Sequence, residues 1–183
     1  IGENLQPYQY IPYTDRMDYL AGMNNNQAYA LAIERLCGVQ VPPRGQAIRV
    51  IFAEMNRIAS HLVALGTYGL DIGAFTPFLY CFREREMILD LFEAACGARL
   101  TYSYLTIGGA HDDLPAGWVE RCSEFLDYFE TKIDDYNNLL SFNHIFVKRT
   151  GSVGVISVSD AIAYGLTGPC LRASGIRWDL RKA

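Results

Sequence analysis

The feature that most constrains the fold is the run QAIRVIFAEMNRIASHLVALG at residues 46–66. Its apolar side chains recur every three or four residues, so they share one face of an α-helix. They are Ile48, Phe52, Met55, Ala59, Leu62 and Leu65. Because an apolar stripe of this length is stable only when it is covered, the run predicts a helix that packs against other helices.

Two later runs repeat this period. The run TPFLYCFREREMILDLFEAACG predicts a second long helix that ends at Gly97, with Pro77 in its first turn. The run HDDLPAGW starts a third predicted helix, with Asp113 as its N-cap and Pro115 in its first turn. The apolar face of this third helix is formed by Trp118, Cys122, Phe125, Phe129, Ile133, Tyr136 and Leu140. Between the first two helices, the run TYGLDIG interrupts the pattern, and Asp71 lies in this break.

Shorter elements complete the predicted fold. The run QAYALAIERLC predicts a short helix that ends at Gly38, after a cap region at Asn24–Asn26. The run LTYSYLTIGG alternates weakly and predicts an extended segment, and Ser159 is predicted to cap a short helix. We therefore expect a mainly α fold: a helical bundle of three long helices with short helices and a few short extended segments, in a single domain over residues 1–183.

The composition excludes several classes of protein. The chain has 183 residues, half of them hydrophobic, which suits one globular domain. Its net charge is −4 and its basic residues are scattered, so nucleic acid is not expected as a partner. The longest uncharged apolar run, IGAFTPFLYCF, is too short for a membrane span of about 20 residues. Because the chain begins at Ile1 and stops within WDLRKA, we expect it to be the central part of a longer polypeptide.

The cysteines and histidines form no recognisable metal motif. The five cysteines contain no CxxC pair, and the three histidines are far apart. Disulfide scaffolds and zinc sites usually show paired spacing. We therefore expect five buried, reduced thiols and no metal site formed by this chain.

The run IPYTDRMDYL near the N-terminus combines acidic, basic and aromatic side chains. A helix that starts at Pro12 or Thr14 would continue through it. Asp15 and Tyr19, four residues apart, would then share one face, and Arg16 could neutralise the neighbouring acids. The local pattern leaves two interpretations of Tyr19 open: an ordinary, partly buried tyrosine, or a phenol positioned to contact a ligand.

Nearly the whole chain resembles the middle of the quinone-site subunit of respiratory complex I, the proton-pumping NADH:quinone oxidoreductase. The family of this subunit is related to the large subunit of nickel-iron hydrogenases. The resemblance is carried by YIPYTDRMDYL, IRVIFAEMNRIASHLVALGTYGLDIGAFTPFLYCFREREMILDLFEAACGAR, IGGAHDDLPAGW and GLTGPCLRASGIRWDLRKA. It implies a nickel-iron hydrogenase large-subunit-like helical fold and a place in the peripheral arm, where electrons pass from an iron–sulfur cluster to quinone and the reaction is coupled to proton translocation.

The resemblance also implies the partners. The chain is expected to bind no cofactor alone, because the family's terminal iron–sulfur cluster belongs to an adjacent small subunit. Quinone, the substrate, would lie between the two subunits, so the chain would be inactive alone. Further implied partners are other peripheral-arm subunits and the membrane subunit at the quinone entrance. The implied location is the matrix side of the mitochondrial inner membrane or the cytoplasmic side of a bacterial plasma membrane.

Two site residues follow from matching positions. Tyr19 matches the family's tyrosine that hydrogen-bonds the quinone headgroup; a phenol with an ordinary pKa of about 10 stays protonated at neutral pH and can donate to a carbonyl oxygen. Asp71 matches an aspartate near the quinone cavity, where it pairs with a histidine on a hairpin upstream of Ile1. The resemblance implies that Asp71 acts in proton transfer and coupling; the alternative is an N-cap or hinge carboxylate between two helices.

The sequence departs from the family pattern at the segment that follows GAR. After GAR, many members carry a histidine that donates a hydrogen bond to the terminal cluster and makes its potential pH-dependent. Here Thr101 and Tyr102 occupy the matching positions. Either hydroxyl can donate a hydrogen bond, but neither titrates near pH 7 as histidine does. The sequence therefore predicts a cluster potential that is lower and depends less on pH.

The run FREREMILD is expected to form an ion-pair network that fixes helix packing or a subunit contact. Two alternatives to the complex I assignment remain at this stage. One is a segment of a nickel-iron or energy-converting hydrogenase large subunit, although YTDRMDY and FRERE resemble complex I more closely. The other is a non-catalytic helical scaffold, in which Tyr19 would contribute only to packing.

Overall fold

The structure, a computed structural model, describes residues 1–182. This range contains eight α-helices and one two-stranded antiparallel sheet. The helices are α1 (Pro7–Thr14), α2 (Gly22–Cys37), α3 (Pro43–Asp71), α4 (Phe75–Cys96), α5 (Trp118–Tyr136), α6 (His144–Thr150), α7 (Val158–Ala163) and α8 (Gly168–Ala173). The strands are β1 (Leu105–Thr106) and β2 (Gly109–Ala110), with Leu105 opposite Ala110 and Thr106 opposite Gly109. The predicted mainly α fold with three long helices is confirmed.

The chain divides into two compact units, Ile1–Leu140 and a second unit that begins at Ser141. The first unit contains α1 to α5 and the small sheet, and the second contains α6 to α8. The assignment of residues 1–183 to a single domain stays a prediction, and its last residue lies outside the described range. In the part of the chain that the structure describes, no helix is both long enough and apolar enough to cross a bilayer.

The core of the first unit forms where the three long helices meet. Phe52 of α3 stacks on Phe92 of α4 at 5.6 Å and on Trp118 of α5 at 4.9 Å between ring centroids. Tyr104, from the segment before β1, packs against Phe52 at 4.6 Å. The indole of Trp118 also donates a hydrogen bond of 2.7 Å to the carbonyl of Leu91. Burying these large rings provides a major part of the apolar area removed from water.

The helix α3 is longer than predicted. It continues through the run TYGLDIG as far as Asp71, so the break lies at residues 72–74. Gly66 and Gly69 lie inside the helix, and because they have no side chain, α4 can approach α3 closely at these positions. A Cβ atom on Gly66 would lie 3.2 Å from the Cα of Phe78, and one on Gly69 would lie 3.1 Å from the carbonyl oxygen of Ala74.

Three predicted helix starts are wrong. The segment Asn24–Asn26 lies inside α2, which begins at Gly22. Helix α5 begins at Trp118, and its N-cap is Gly117, which has a positive φ of 75°. The predicted N-cap, Asp113, accepts a hydrogen bond from Arg44 with its carboxylate. The N-cap of α7 is Ser157, whose side chain accepts from the amide of Asp160, and not Ser159.

The expectation of five buried thiols is also partly wrong. All five cysteines are free. Cys81 and Cys122 are buried and Cys96 is half-buried, but Cys37 and Cys170 are exposed. The spacing of the cysteines along the sequence does not reveal which of them are exposed.

Candidate functional site

The candidate site is built around a turn at residues 15–21, here called the Tyr19 turn, which joins α1 to α2. The helix α1 ends at Thr14, where a helix was predicted to start, so Asp15 and Tyr19 do not share a helical face. Asp15 is fully buried, whereas the side chain of Tyr19 is 59% exposed. Arg16 donates to the carbonyl of Pro12 in the preceding helix turn. Tyr19 is therefore not a core residue, and its ring is accessible.

Hydrogen bonds with two side chains, those of Asp18 and Asn56, fix the backbone that follows Tyr19. The carboxylate of Asp18 accepts from the amide of Leu20 at 3.2 Å, the pattern of an Asx turn. Asn56, fully buried on α3, donates to the carbonyl of Leu20 at 3.3 Å and accepts from the amide of Met23 at 3.0 Å. The end of the turn is thus fixed to α3, and the exposed phenol is carried on a backbone of defined geometry.

The start of the turn is fixed to a loop that follows α4. One oxygen of Asp15, Oδ2, accepts hydrogen bonds from the amide nitrogen of Ser103 at 2.9 Å and from its hydroxyl at 2.7 Å. Ser103 lies in the segment at residues 97–104, here called the 97–104 loop, which also contains Thr101 and Tyr102. The structure therefore brings three of the four predicted site residues, Tyr19, Thr101 and Tyr102, onto two segments joined by one buried carboxylate.

The 97–104 loop has an unusual backbone. Thr101 and Ser103 have φ angles of 52° and 48°, in the left-handed region that non-glycine residues rarely adopt. The side chain of Tyr102 between them is buried and packs edge-on against Phe92 at 5.1 Å. Only Thr101 is partly exposed among the two predicted positions. This geometry anchors Tyr102 in the core and leaves Thr101 as the accessible hydroxyl.

Tyr102 lies in a charged environment despite its burial. Burial raises the pKa of Tyr102 to about 12, and the nearby Cys96 and Asp15 act in the same direction, while Arg85 opposes them. Its phenol therefore stays protonated at physiological pH and can act only as a neutral hydrogen-bonding group.

The start of the 97–104 loop is held on the surface of α4. Arg99 pairs with Asp90 at 2.6 Å and with Glu93 at 3.0 Å, and it also pairs with Glu86. The three carboxylates lie on successive turns of one helix face, and together they confine the guanidinium.

Asp71 lies elsewhere in the structure than predicted. It is the last residue of α3 and not part of the break, and its side chain is exposed. The N-cap alternative is wrong, because the N-cap of α4 is Ala74, whereas the alternative of a hinge carboxylate between the two helices stays a prediction. Within residues 1–182, no hydrogen bond or ion pair joins Asp71 to the Tyr19 turn or to the 97–104 loop.

The charged run after Pro77 confirms the predicted ion pairing for Arg83 and Glu84. Glu84 is fully buried and accepts from Arg83 at 2.7 Å and from the hydroxyls of Tyr128 at 2.8 Å and Tyr136 at 2.7 Å. Burial and the bond to Glu84 raise the pKa of Tyr136 far above its ordinary value. This cluster joins α4 to α5.

Sequence reasoning missed a buried ion pair between Glu34 of α2 and Arg49 of α3. Arg49 donates to Glu34 Oε2 at 2.9 Å and to the carbonyl of Gly109 at 2.9 Å, and Glu34 accepts from the amide of Gly108 at 2.7 Å. No local signal distinguishes these two charges from exposed ones, because the segments that cover them, α2, α3 and the hairpin, are distant in sequence.

Two further concave surfaces lie outside these segments. A cleft of about 690 Å³ lies beside the Glu34–Arg49 pair, and an apolar groove of about 480 Å³ lies between α3 and α5, where His61, Tyr68 and Tyr136 contribute to its lining. Among the described residues, no group of three or more His, Cys, Asp or Glu side chains could hold a metal ion.

The sequence is similar to known proteins over almost its entire length. Residues 71–183 match the family model described as respiratory-chain NADH dehydrogenase, 49 Kd subunit. The chain is 55% identical over 180 residues to an NADH-quinone oxidoreductase subunit of Chlorobium luteolum, covering 98% of this chain and 46% of that protein. It is 57% identical over 172 residues to the subunit of the same name in Pelodictyon phaeoclathratiforme, covering 94% and 43% respectively.

A relative from a chloroplast matches equally well. This chloroplastic NAD(P)H-quinone oxidoreductase subunit of Chlorokybus atmophyticus is 55% identical over 182 residues, covering 100% of this chain and 46% of that protein. The chain therefore spans less than half the length of these curated relatives.

Proposed function

The chain belongs to the family of the 49 Kd subunit of respiratory-chain NADH dehydrogenase, and on this premise we propose that it forms, with an adjacent iron–sulfur subunit, the quinone-reduction site of a proton-pumping NADH:quinone oxidoreductase. The observation that carries the proposal is Tyr19, an exposed phenol on a turn whose two ends are fixed by buried side chains. The names of the relatives support quinone as the substrate.

The proposed role of Tyr19 is to donate a hydrogen bond to a carbonyl oxygen of the quinone headgroup. Reduction of quinone to quinol adds two electrons and two protons, and negative charge develops on that oxygen as the electrons arrive. A phenol that already points at the oxygen stabilises this charge and holds a proton within reach. Because the turn is fixed before quinone binds, little reorganisation is needed when the reaction occurs.

The electrons in this proposal come from an iron–sulfur cluster on the adjacent subunit. The cysteines of this chain do not fit such a group, since they are dispersed over four helices, and the two that share α4, Cys81 and Cys96, are 15 residues apart. Burial also raises the pKa of the Cys81 thiol to about 11, which disfavours the thiolate form that binds iron. The chain's own contribution is therefore to bind and orient quinone and to supply hydrogen bonds.

Thr101 and Tyr102 are proposed to lie on the side of the site that faces the cluster. Thr101 is partly exposed and supplies the hydroxyl. Tyr102 anchors the 97–104 loop to the core through its contact with Phe92. Asp71 is proposed to transfer protons and to couple quinone reduction to proton translocation. Its exposed carboxylate at the end of α3 is accessible to a histidine from another segment.

The proposed setting is the peripheral arm of the assembled complex. The partners would be the adjacent iron–sulfur subunit, other peripheral-arm subunits and the membrane subunit at the quinone entrance. The arm would face the mitochondrial matrix or the bacterial cytoplasm. In this setting the isolated chain would not reduce quinone.

The substitution Tyr19→Phe in the assembled enzyme tests the proposal. Two rates are measured: NADH:quinone reductase activity, and electron transfer from NADH to an artificial acceptor that takes electrons upstream of quinone. Tyr19→Phe should lower quinone reduction by roughly a hundredfold and leave the upstream rate unchanged, because one donor to a developing oxyanion is lost. Tyr8→Phe, at another exposed tyrosine, is the matched control. Equal quinone activity in both variants would favour the scaffold alternative.

A further inference from the structure

The buried carboxylate of Asp15 joins two segments that have separate roles in the proposed function. It is fully buried, and Ser103, its partner, lies 88 residues further along the chain. Both the amide and the hydroxyl of Ser103 donate to the same oxygen, at 2.9 and 2.7 Å. Two donors of one residue that converge on a single oxygen fix the relative position of the segments that carry them. Asp15 therefore links the Tyr19 turn firmly to the 97–104 loop.

The environment of Asp15 is costly for a residue that serves packing alone. Its second oxygen, Oδ1, is buried and has no hydrogen-bond partner among the described residues. Gly22 approaches this oxygen so closely that a Cβ atom there would lie 3.1 Å away. A buried polar atom without a partner costs free energy that an apolar side chain would not. The arrangement is therefore better explained by what the carboxylate holds in place than by stability.

The loop that Asp15 holds is strained. Thr101 and Ser103 both have positive φ angles, which residues with a Cβ atom rarely adopt. The two bonds from Ser103 to Asp15 stabilise this backbone conformation directly. Strain of this kind persists only where the surroundings enforce it, and it is concentrated at functional sites.

We propose that Asp15 is a positioning residue that orients the phenol of Tyr19 toward quinone by clamping the Tyr19 turn to the 97–104 loop. This inference rests on the proposed function of Tyr19. The turn is held at two points, by Asp15 at its start and by Asn56 at its end. When the first of these is lost, the backbone pivots about the second, and the exposed ring between them is displaced. Asp15 itself is buried and does not touch the substrate.

The test is Asp15→Asn in the assembled enzyme, with Asp127→Asn on the exposed surface of α5 as the matched control. The measured quantities are KM for quinone, kcat, and the upstream rate with an artificial acceptor. We expect KM to rise about tenfold or more while the upstream rate is retained, because small displacements of a contacting group have effects of this size. A purely structural role would lower the amount of active enzyme, and hence the apparent kcat, without changing KM.

A double variant tests whether Asp15 acts through Tyr19. In the Tyr19→Phe background, Asp15→Asn should cause no further change in KM, since the hydroxyl that it positions is absent. If the two effects on KM are independent and multiply, the positioning role is overturned. If Tyr19→Phe alone leaves quinone reduction intact, the proposed function fails first, so the two failures are distinguishable.

A smaller change covers the case in which Asp15→Asn prevents assembly. Ser103→Ala removes one of the two hydrogen bonds and keeps the other, and Ser123→Ala, at an exposed position on α5, is its control. Ser103→Ala should raise KM for quinone about threefold, in the same direction as Asp15→Asn, because a single hydrogen bond is lost. If Tyr19→Phe impairs quinone reduction while Ser103→Ala leaves KM at the value of its control, Asp15 has no positioning role.

Discussion

Glu34 and Arg49 form an ion pair between α2 and α3 in which both side chains are almost completely buried. The guanidinium also donates to the carbonyls of Gly109 and Thr106, so the pair holds the β1–β2 hairpin against the helices. Both carboxylate oxygens of Glu34 accept from Arg49, and the amide of Gly108 supplies a second donor to Oε1. The hairpin immediately follows the 97–104 loop, and the pair therefore fixes the far end of the segment that contains the candidate site.

Arg49→Leu should destabilise the chain by about 3–5 kcal/mol, because it leaves the carboxylate of Glu34 buried without its counter-ion. The measurement is the free energy of unfolding in urea. Arg57→Leu is the control on the same helix, since Arg57 pairs with Glu54 on the exposed surface and should cost less than about 1 kcal/mol. Equal losses of unfolding free energy in the two variants would show that the buried pair stabilises the chain no more than the exposed pair does.

The contribution of Glu34 to the free energy of unfolding should depend on pH. The hydrogen bonds from Arg49 hold the pKa of Glu34 below its ordinary value of 4.5, although burial opposes them. Because the pKa is lower in the folded chain than in the unfolded chain, the stabilisation is fully present above about pH 4.5. It is lost as pH falls through the folded-state pKa. The difference in unfolding free energy between the native chain and Glu34→Gln should therefore shrink in acid, and a constant difference would contradict this. Glu54→Gln, at an exposed position, should show little difference at any pH.

Tyr136→Phe should cost about 1–3 kcal/mol of stability, because the buried carboxylate of Glu84 loses one of its two phenol donors. Tyr128→Phe removes the other donor, but its side chain is only half-buried, so water can replace the lost bond and the cost should be smaller. Thermal unfolding of both variants shows which substitution causes the greater loss of stability. A greater loss for Tyr128→Phe would mean that Glu84 depends mainly on the more exposed side of the cluster.

Thr101→His should make the potential of the adjacent subunit's cluster more dependent on pH. Thr101 is the partly exposed member of the two matching positions, whereas Tyr102 is held in the core against Phe92. Histidine titrates near neutral pH, and a proton coupled to one electron shifts a potential by about 59 mV per pH unit. Redox titration of the assembled enzyme between pH 6 and 8, followed by the electron paramagnetic resonance signal of the cluster, measures this slope.

Tyr102→Phe is the companion variant for that titration. It removes a hydroxyl whose pKa, about 12, lies far above the titrated range, so the slope should remain that of the native enzyme. A native slope already as steep as that of Thr101→His would contradict the prediction that this sequence weakens the pH dependence.

Much of the first unit's fold was predictable from local pattern. The stripe from Ile48 to Leu65 predicted α3 because helical periodicity appears directly in the order of apolar residues. The ends of helices were less predictable. Asp113 has the side chain of a good N-cap, yet it bonds Arg44, a residue 69 positions away in the sequence. Similarly, the run TYGLDIG indicated a break, but α3 continues through Gly69, which lies close to Ala74 at the start of α4, and ends only at Asp71.

The sequence by itself determined the helical class, the three long amphipathic helices and the family, and through the family it indicated Tyr19 and Asp71. Only the tertiary structure decided that Tyr19 is exposed and Asp15 is buried, although they are neighbours on one short segment. It alone joined Asp15 to Ser103, and Glu34 to Arg49. The physical reason is that apolar periodicity is a property of adjacent residues, whereas the partner of a buried polar group is set by which distant segments the packed core brings into contact.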